Sequence, residues 1–281
     1  MAAIEKYSCG SAGISNLLKH NSRDIIHSSN PDIQPDLSDL NYCLTPQDRS
    51  VSEYDYYKQR LSEVYVYNRK DVVTLCGIVC TLPAEIPLDD TEQINRFFST
   101  TNDFLSDRYG GENGRNVISS WVHFDEGKRL PVYDRFTGEP LLDENGNVQT
   151  ELVVGRPHLH FDFIPVASVN LEYELSKKRH DPKIEQYTER VCANDVLTRS
   201  SYRTFHGDWQ RYLQEHGIDA KVKTGITKAQ GGNVSVSKLK ERFDTERTEI
   251  DRLREVERQY NELISRHPEL LRDTNERGRF G

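Results

Sequence analysis

The run Val72-Val73-Thr74-Leu75-Cys76-Gly77-Ile78-Val79-Cys80 is β-branched and apolar, bounded by charge on one side and by Pro83 on the other. It predicts a strand buried on both faces. From Thr91 to Tyr109 the apolar residues Ile94, Phe97, Phe98, Phe104 and Leu105 recur at helical spacing. This predicts one amphipathic helix, closed by Gly110-Gly111-Glu112-Asn113-Gly114. Two further strand signals follow, Asn116 to Phe124 and Pro157 to Val166. Between them, Thr137-Gly138 and Asn145-Gly146 each sit between short apolar stretches. Such pairs mark tight turns, so residues 127–156 are expected to form a β-ribbon inserted between two sheet strands.

The pattern is weaker elsewhere. Ile14, Leu17, Leu18, Ile25 and Ile26 are too irregular to predict an element over 14–28. Asn30-Pro31-Asp32 and Gln34-Pro35-Asp36 have turn chemistry, and an extended pattern resumes at Asn41-Tyr42-Cys43-Leu44. Tyr54, Tyr56, Tyr57, Tyr65 and Tyr67 are assigned to a helix followed by a loop, and 183–216 to helix. Gly225, Gly231 and Gly232 mark a loop before a last helix from Val236 to His267, stopped by Pro268. Seven of its ten a/d positions are apolar, which fits a coiled coil or a helix folded back on its own domain.

The chain has 281 residues and a net charge of −8. The acidic excess is local: residues 1–169 hold 15 basic and 25 acidic side chains. Taken alone this disfavours a protein that coats nucleic acid through its bulk field, although a bound cation offsets such a deficit locally. The five cysteines lack zinc-ribbon spacing. Together with the absence of a secretory signal pattern and of a bilayer-length apolar run, they point to free thiols and a cytoplasmic location without membrane contact.

The chemistry concentrates in Trp121-Val122-His123-Phe124-Asp125-Glu126 and Pro157-His158-Leu159-His160-Phe161-Asp162-Phe163. In a strand, alternate side chains share a face, so His158 and His160 point one way while Leu159, Phe161 and Phe163 fill a core. A third imidazole, His123, on a neighbouring strand would complete a divalent-metal pocket. Glu126 is the first choice for a fourth ligand or for orienting a histidine, with Asp125 second. Lys177-Lys178-Arg179-His180 and Lys221, Lys223 and Lys228 are the basic concentrations, read by default as solvated loop.

These words resemble a known family. His20-Asn21-Ser22-Arg23, Asn30-Pro31-Asp32-Ile33 and Ser38-x-x-Asn41-Tyr42-x-Leu44 resemble the first motif of the MobV (Pre/Mob) plasmid mobilisation and recombination relaxases. His123-Phe124-Asp125-Glu126 and Pro157-His158-Leu159-His160 resemble their metal motif, which in the family lacks an insertion such as 127–156. The resemblance covers about residues 14–170. It implies an α+β fold of the histidine-hydrophobic-histidine (HUH) endonuclease type, an antiparallel sheet flanked by helices. The domain expectation is then a catalytic domain over 1–232, carrying the 127–156 ribbon, and a C-terminal helix over 233–281.

The resemblance also implies a reaction. A relaxase nicks one strand at a specific origin and stays joined to the 5′ phosphate, in plasmid mobilisation, conjugation or recombination. It places the nucleophile on His20, with His123, His158, His160 and Glu126 around Mn²⁺ or Mg²⁺ (Zn²⁺ is a further option). Asp125 and Glu126 assist catalysis, and Arg23, Asn21 and Tyr42 are candidate contacts to single-stranded or hairpin DNA. Tyr42 is also the competing nucleophile. Two other readings stay open: a hydrolytic metallonuclease with Glu126 as base, and a non-enzymatic replication or partner-binding protein with a vestigial site. The last helix is a candidate homodimer contact.

Overall fold

The computed structural model describes residues 2–8, 13–24, 30, 32–46, 49–134, 138–177, 181–222 and 236–267. In chain order they form β1 (Ala2–Ser8), α1 (Gly13–Asn21), a 3-10 turn (Pro35–Leu40), β2 (Tyr42–Cys43), α2 (Glu53–Ser62), β3 (Val73–Thr81), α3 (Thr91–Tyr109) and β4 (Val117–His123). There follow β5 (Gly127–Pro131), β6 (Thr150–Val154), β7 (His158–Phe163), β8 (Val166–Ser168), α4 (Leu171–Ser176), β9 (Glu189–Val191), α5 (Ala193–Val196), α6 (Arg199–Glu215) and α7 (Val236–Arg266). The chain divides into two units: Met1–Lys128 with Val153–Thr224, and Arg129–Leu152 with Gly225–Gly281.

The first unit is α+β and is built on an antiparallel sheet of order β1-β3-β7-β4-β2. Alternation along β7 divides its side chains between two different environments. Leu159, Phe161 and Phe163 are fully buried with Cys76, Ile78 and Cys80 of β3, against Phe97, Phe98 and Leu105 of α3 and Phe205, Trp209 and Leu213 of α6. Full burial stabilises by roughly 1.5–3 kcal/mol for each large apolar side chain, so this layer carries much of the folding free energy. The opposite face receives α1 and α2, whose Ile14, Leu18 and Tyr57 pack with Leu75, Ile118 and Ile164. That face also carries the histidines.

Three elements depart from the pattern-based reading. β1 is unanticipated; it is an edge strand paired with β3 from Ala2 opposite Cys80 to Tyr7 opposite Leu75. α1 lies where no element was expected. Its apolar residues do follow helical spacing (Ile14, Leu17, Leu18), but only over nine residues. Residues 183–216 are not one helix: Glu189–Val191 form β9, paired with β8, before α5 and α6. Val191 packs in the α1/α2 cluster, and the buried Arg190 lies 3.8 Å from the buried Glu174 of α4, tertiary contacts that a helical count does not register.

The inserted ribbon forms as expected, with β5 paired to β6, a bridge at Tyr133–Pro140 and another at Leu142–Val148 around the Asn145-Gly146 turn. In the second unit the Arg254 guanidinium lies 4.3 Å from the centre of the Tyr133 ring. Among the described residues no helix is long and apolar enough to cross a membrane, and Cys43, Cys76, Cys80 and Cys192 are free thiols. Cys9, Lys178, Arg179, His180, Lys223 and Lys228 lie outside the described residues.

Candidate metal centre and active site

Strand register brings the imidazoles together. His158 lies opposite both Thr81 and His123, and His160 opposite both Val79 and Trp121, so all three rings rise from one face at the ends of β4 and β7. Their centroids are 4.8 to 5.5 Å apart. With Glu126 they form a group whose nearest donor atoms all lie within 4.8 Å of one another.

The hydrogen bonds of these rings show whether they suit a cation. His123 is fully buried, and its Nε2 lies 2.8 Å from the Asn21 carbonyl. A carbonyl only accepts, so Nε2 carries the proton and Nδ1 keeps a lone pair. That Nδ1 is buried and has no hydrogen-bond partner, and neither has the buried Nε2 of His160. His158 directs Nδ1 at the Arg156 carbonyl (3.4 Å) and Nε2 toward Glu126 Oε2 at 3.8 Å. Unpartnered polar atoms in a protein interior are rare and costly. Two of them in one cluster with a third imidazole and a carboxylate make a group that could hold a divalent cation such as Mn²⁺ or Zn²⁺. Burial and the neighbouring His158 hold His160 well below the ordinary imidazole pKa, while burial and Arg23 do the same for His123. Both rings are therefore neutral and ready to ligate.

Arg23 organises the rim. α1 ends with Arg23 N–H donating to the His20 carbonyl and Asp24 N–H to the Lys19 carbonyl. This closure puts Arg23 at φ 60°, a left-handed conformation usually filled by glycine. The strained turn points the guanidinium back at the site. It grips Asp125 with two bonds (Nε to Oδ2 2.9 Å, Nη2 to Oδ1 2.7 Å), reaches Glu126 at 3.4 Å, and places Nη1 3.3 Å from His20 Nε2. Because a guanidinium only donates, His20 Nε2 is the nitrogen with the lone pair. Burial, then the Arg23 charge, lowers the His20 pKa. Burial pushes the Asp125 carboxyl up, but Arg23, Ser38 and Asn41 together hold it well below the usual range.

Several expected roles change in this light. Asp125 is not one of the grouped donors; its oxygens are taken by Arg23 and by Ser38 Oγ at 2.7 Å. Arg23, expected to contact DNA, is instead bidentate on that carboxylate, since a fully buried Asp125 needs a cation. Asn21 has no exposed surface to offer DNA, and its side chain donates to Asp162 at 2.7 Å. Tyr42 pairs with Val122 and so faces the apolar layer, away from the imidazoles, with Phe124 at 6.1 Å. Burial raises its phenol pKa, which makes it a poor nucleophile.

Other residues emerge only in three dimensions. Gln34 N–H donates to the Asp125 carbonyl, Asn41 Oδ1 accepts from Phe124 N–H, and Gly127 N–H reaches the Asp32 carbonyl, each at 2.7 Å. The turn-rich segment 32–41 therefore braces 124–127. Where the insertion returns, Gly155 N–H meets the Glu126 carbonyl at 2.7 Å, and an added Cβ would stand 3.0 Å from that oxygen. Glycine lets both ends of the insertion close beside Glu126.

Comparison with known proteins extends this picture. The profile of the plasmid recombination enzyme family, Mob_Pre, matches residues 1–241. The chain is 26% identical over 245 residues to a plasmid recombination enzyme of Streptococcus agalactiae, covering 85% of this chain and 38% of that protein. It is 25% identical over 265 residues to one of Bacillus thuringiensis, covering 93% and 47%. It thus spans less than half the length of these relatives. Among solved structures, the Mn-bound MobM relaxase domain (MOBV; Mob_Pre) in complex with plasmid pMV158 oriT DNA at pH 6.8 shares the fold, with a TM-score of 0.56 at 22% identity. The match covers 85% of this chain and 97% of that one.

Proposed function

Since the chain belongs to the plasmid recombination enzyme (Mob_Pre) family, we propose that it is a metal-dependent DNA strand transferase, a relaxase that nicks one strand at a plasmid origin. The observation that carries the proposal is the convergence of three imidazoles and Glu126, with two buried, unpartnered ring nitrogens, and with Arg23 reaching both Glu126 and His20. His123, His158, His160 and Glu126 would hold the cation, Mn²⁺ or Mg²⁺. When bound, it draws charge from the non-bridging oxygens of a phosphate. The His20 lone pair attacks phosphorus in line, a P–N bond forms and the bond to the 3′ oxygen breaks. The proton that His20 gives up from Nδ1 balances the one taken up by the 3′ oxygen, so the 3′ end leaves as a hydroxyl and the 5′ phosphate stays on His20 as a phosphoramidate, which conserves the bond for rejoining. Asp125 fixes Arg23, and Arg23 fixes His20. The substrate is the single-stranded or hairpin form of an origin. For α7, the exposed Leu253, Val256, Tyr260 and Leu263 at 3-4-3 spacing support pairing with a second copy.

The test is denaturing electrophoresis of the protein with a labelled single-stranded origin oligonucleotide and Mn²⁺. The expected product is a covalent adduct that EDTA prevents. Cleavage with no adduct would identify hydrolysis and overturn the proposal. The same assay carries a pH expectation. The ordinary imidazole titrates near ~6.5, and the lowered His20 pKa keeps the ring neutral below that value. The adduct rate is therefore expected to be level near pH 8 and to fall in acid with a midpoint below about 6.5. A midpoint at or above about 6.5 would contradict the assignment.

A further inference from the structure

We propose that Asp162 is a positioning residue: it anchors the end of α1 to the sheet and, through Asn21, sets which nitrogen of His123 faces the metal donors. This rests on the functional reading above and gives a role to a residue outside the donor set.

Alternation along β7 puts Asp162 two residues beyond His160 on the same face, and register sets it between Gly77 and Ser119. It is 2% exposed. A carboxyl is a costly occupant there, because an apolar side chain would bury without loss of hydration. The neighbouring strand is matched to it: a Cβ on Gly77 would stand 2.7 Å from Asp162 Oδ1. Asp162 Oδ2 accepts a hydrogen bond from Asn21 Nδ2 at 2.7 Å. Asn21 is itself fully buried, directly follows His20, and offers its carbonyl to His123 Nε2 at 2.8 Å. Two hydrogen bonds thus link Asp162 to a donor ring, and they pass through the neighbour of the nucleophile. Without Asp162 the Asn21 amide would be buried with no acceptor, and the end of α1 would be released from the sheet.

The experiment compares the wild type with Asp162→Ala, Asp162→Asn, Asn21→Ala and the Asn21→Ala/Asp162→Ala double variant. Mn²⁺ affinity is followed by electron paramagnetic resonance and adduct formation by kcat and KM. Asp162→Ala is expected to lose about 10- to 100-fold in Mn²⁺ affinity and in kcat, with the oligonucleotide KM changed by less than about threefold. Asp162→Asn keeps an oxygen for the Asn21 amide and recovers most of the loss. Asn21→Ala matches Asp162→Ala, and the double variant loses no more than either, since all three break one chain.

Nitrogen NMR of histidine-labelled, metal-free protein gives a readout independent of activity. His123 is protonated at Nε2 in the wild type and is a mixture of tautomers in Asp162→Ala. If the wild type forms no adduct while affinity and tautomer respond as stated, the relaxase reading fails and the positioning role stands. A folded Asp162→Ala with wild-type Mn²⁺ affinity and a single Nε2–H tautomer overturns the role. Should Asp162→Ala not fold, Gly77→Ala crowds the carboxylate while keeping it, and is expected to lower Mn²⁺ affinity. Wild-type affinity in that variant overturns the role equally.

Discussion

Replacing His160 with alanine is expected to abolish tight Mn²⁺ binding and, with it, strand cleavage. Its Nε2 is buried with no protein partner, so in the absence of a cation this nitrogen contributes only an uncompensated polar atom. Such an atom costs about 1–3 kcal/mol, which offsets part of the packing lost with the ring, and the metal-free variant is expected to fold. What changes is the response to metal. A ligand bound at 100 times its Kd stabilises the native state by about 2.7 kcal/mol, visible as a rise in Tm. The wild type is expected to show that rise with Mn²⁺ and the variant to lose it, with affinity at least about 100-fold weaker. Loss of a group that merely supports a ligand costs roughly 10- to 100-fold, so a true ligand should cost more. An undiminished Tm response in the variant would remove His160 from the donor set.

The second large effect is expected from His20→Ala. If His20 forms the P–N bond, the adduct is lost by at least about 10³-fold, because the proposed attack has no other nucleophile. Mn²⁺ affinity is expected to change by less than about threefold, since His20 is not among the grouped donors. Those two readouts separate nucleophile from ligand. The alternative nucleophile, Tyr42, faces the apolar layer with a raised phenol pKa. An adduct that persists in His20→Ala would mean that another side chain attacks, and the chemistry would have to be reassigned.

How much of this was legible in the amino-acid pattern follows from what each signal depends on. β3, α3, β4 and β7 were readable because their hydrophobic period is strong and local. The same alternation placed His158 and His160 on one face. Extended by two residues it also places Asp162 there, but an acid between two phenylalanines has no local reason to be buried. Its reasons are Asn21, 141 residues away, and the gap left by Gly77. α1 was obscured because it is short and closes on an arginine rather than a glycine.

The rim shows where residue type alone misleads. An arginine after a candidate nucleophile suggested a DNA contact, yet the forked guanidinium found its carboxylate within the chain, 102 residues on. Tyr42 was drawn into the site by motif adjacency and put out of it by pairing with Val122, a matter of strand register. The acidic balance of residues 1–169 had weighed against a protein that coats nucleic acid through its bulk field. Part of it is now placed: Asp125 is neutralised by Arg23, and Glu126 lies among the imidazoles.

One divalent ion is expected among His123, His158, His160 and Glu126. Crystals of the protein grown with Mn²⁺, measured at the manganese absorption edge, test it most directly. One strong anomalous peak is expected, bonded to His123 Nδ1 and His160 Nε2, with His158 and Glu126 completing the protein donors. A peak elsewhere on the chain, or no peak at these nitrogens when Mn²⁺ is in large excess, would contradict it.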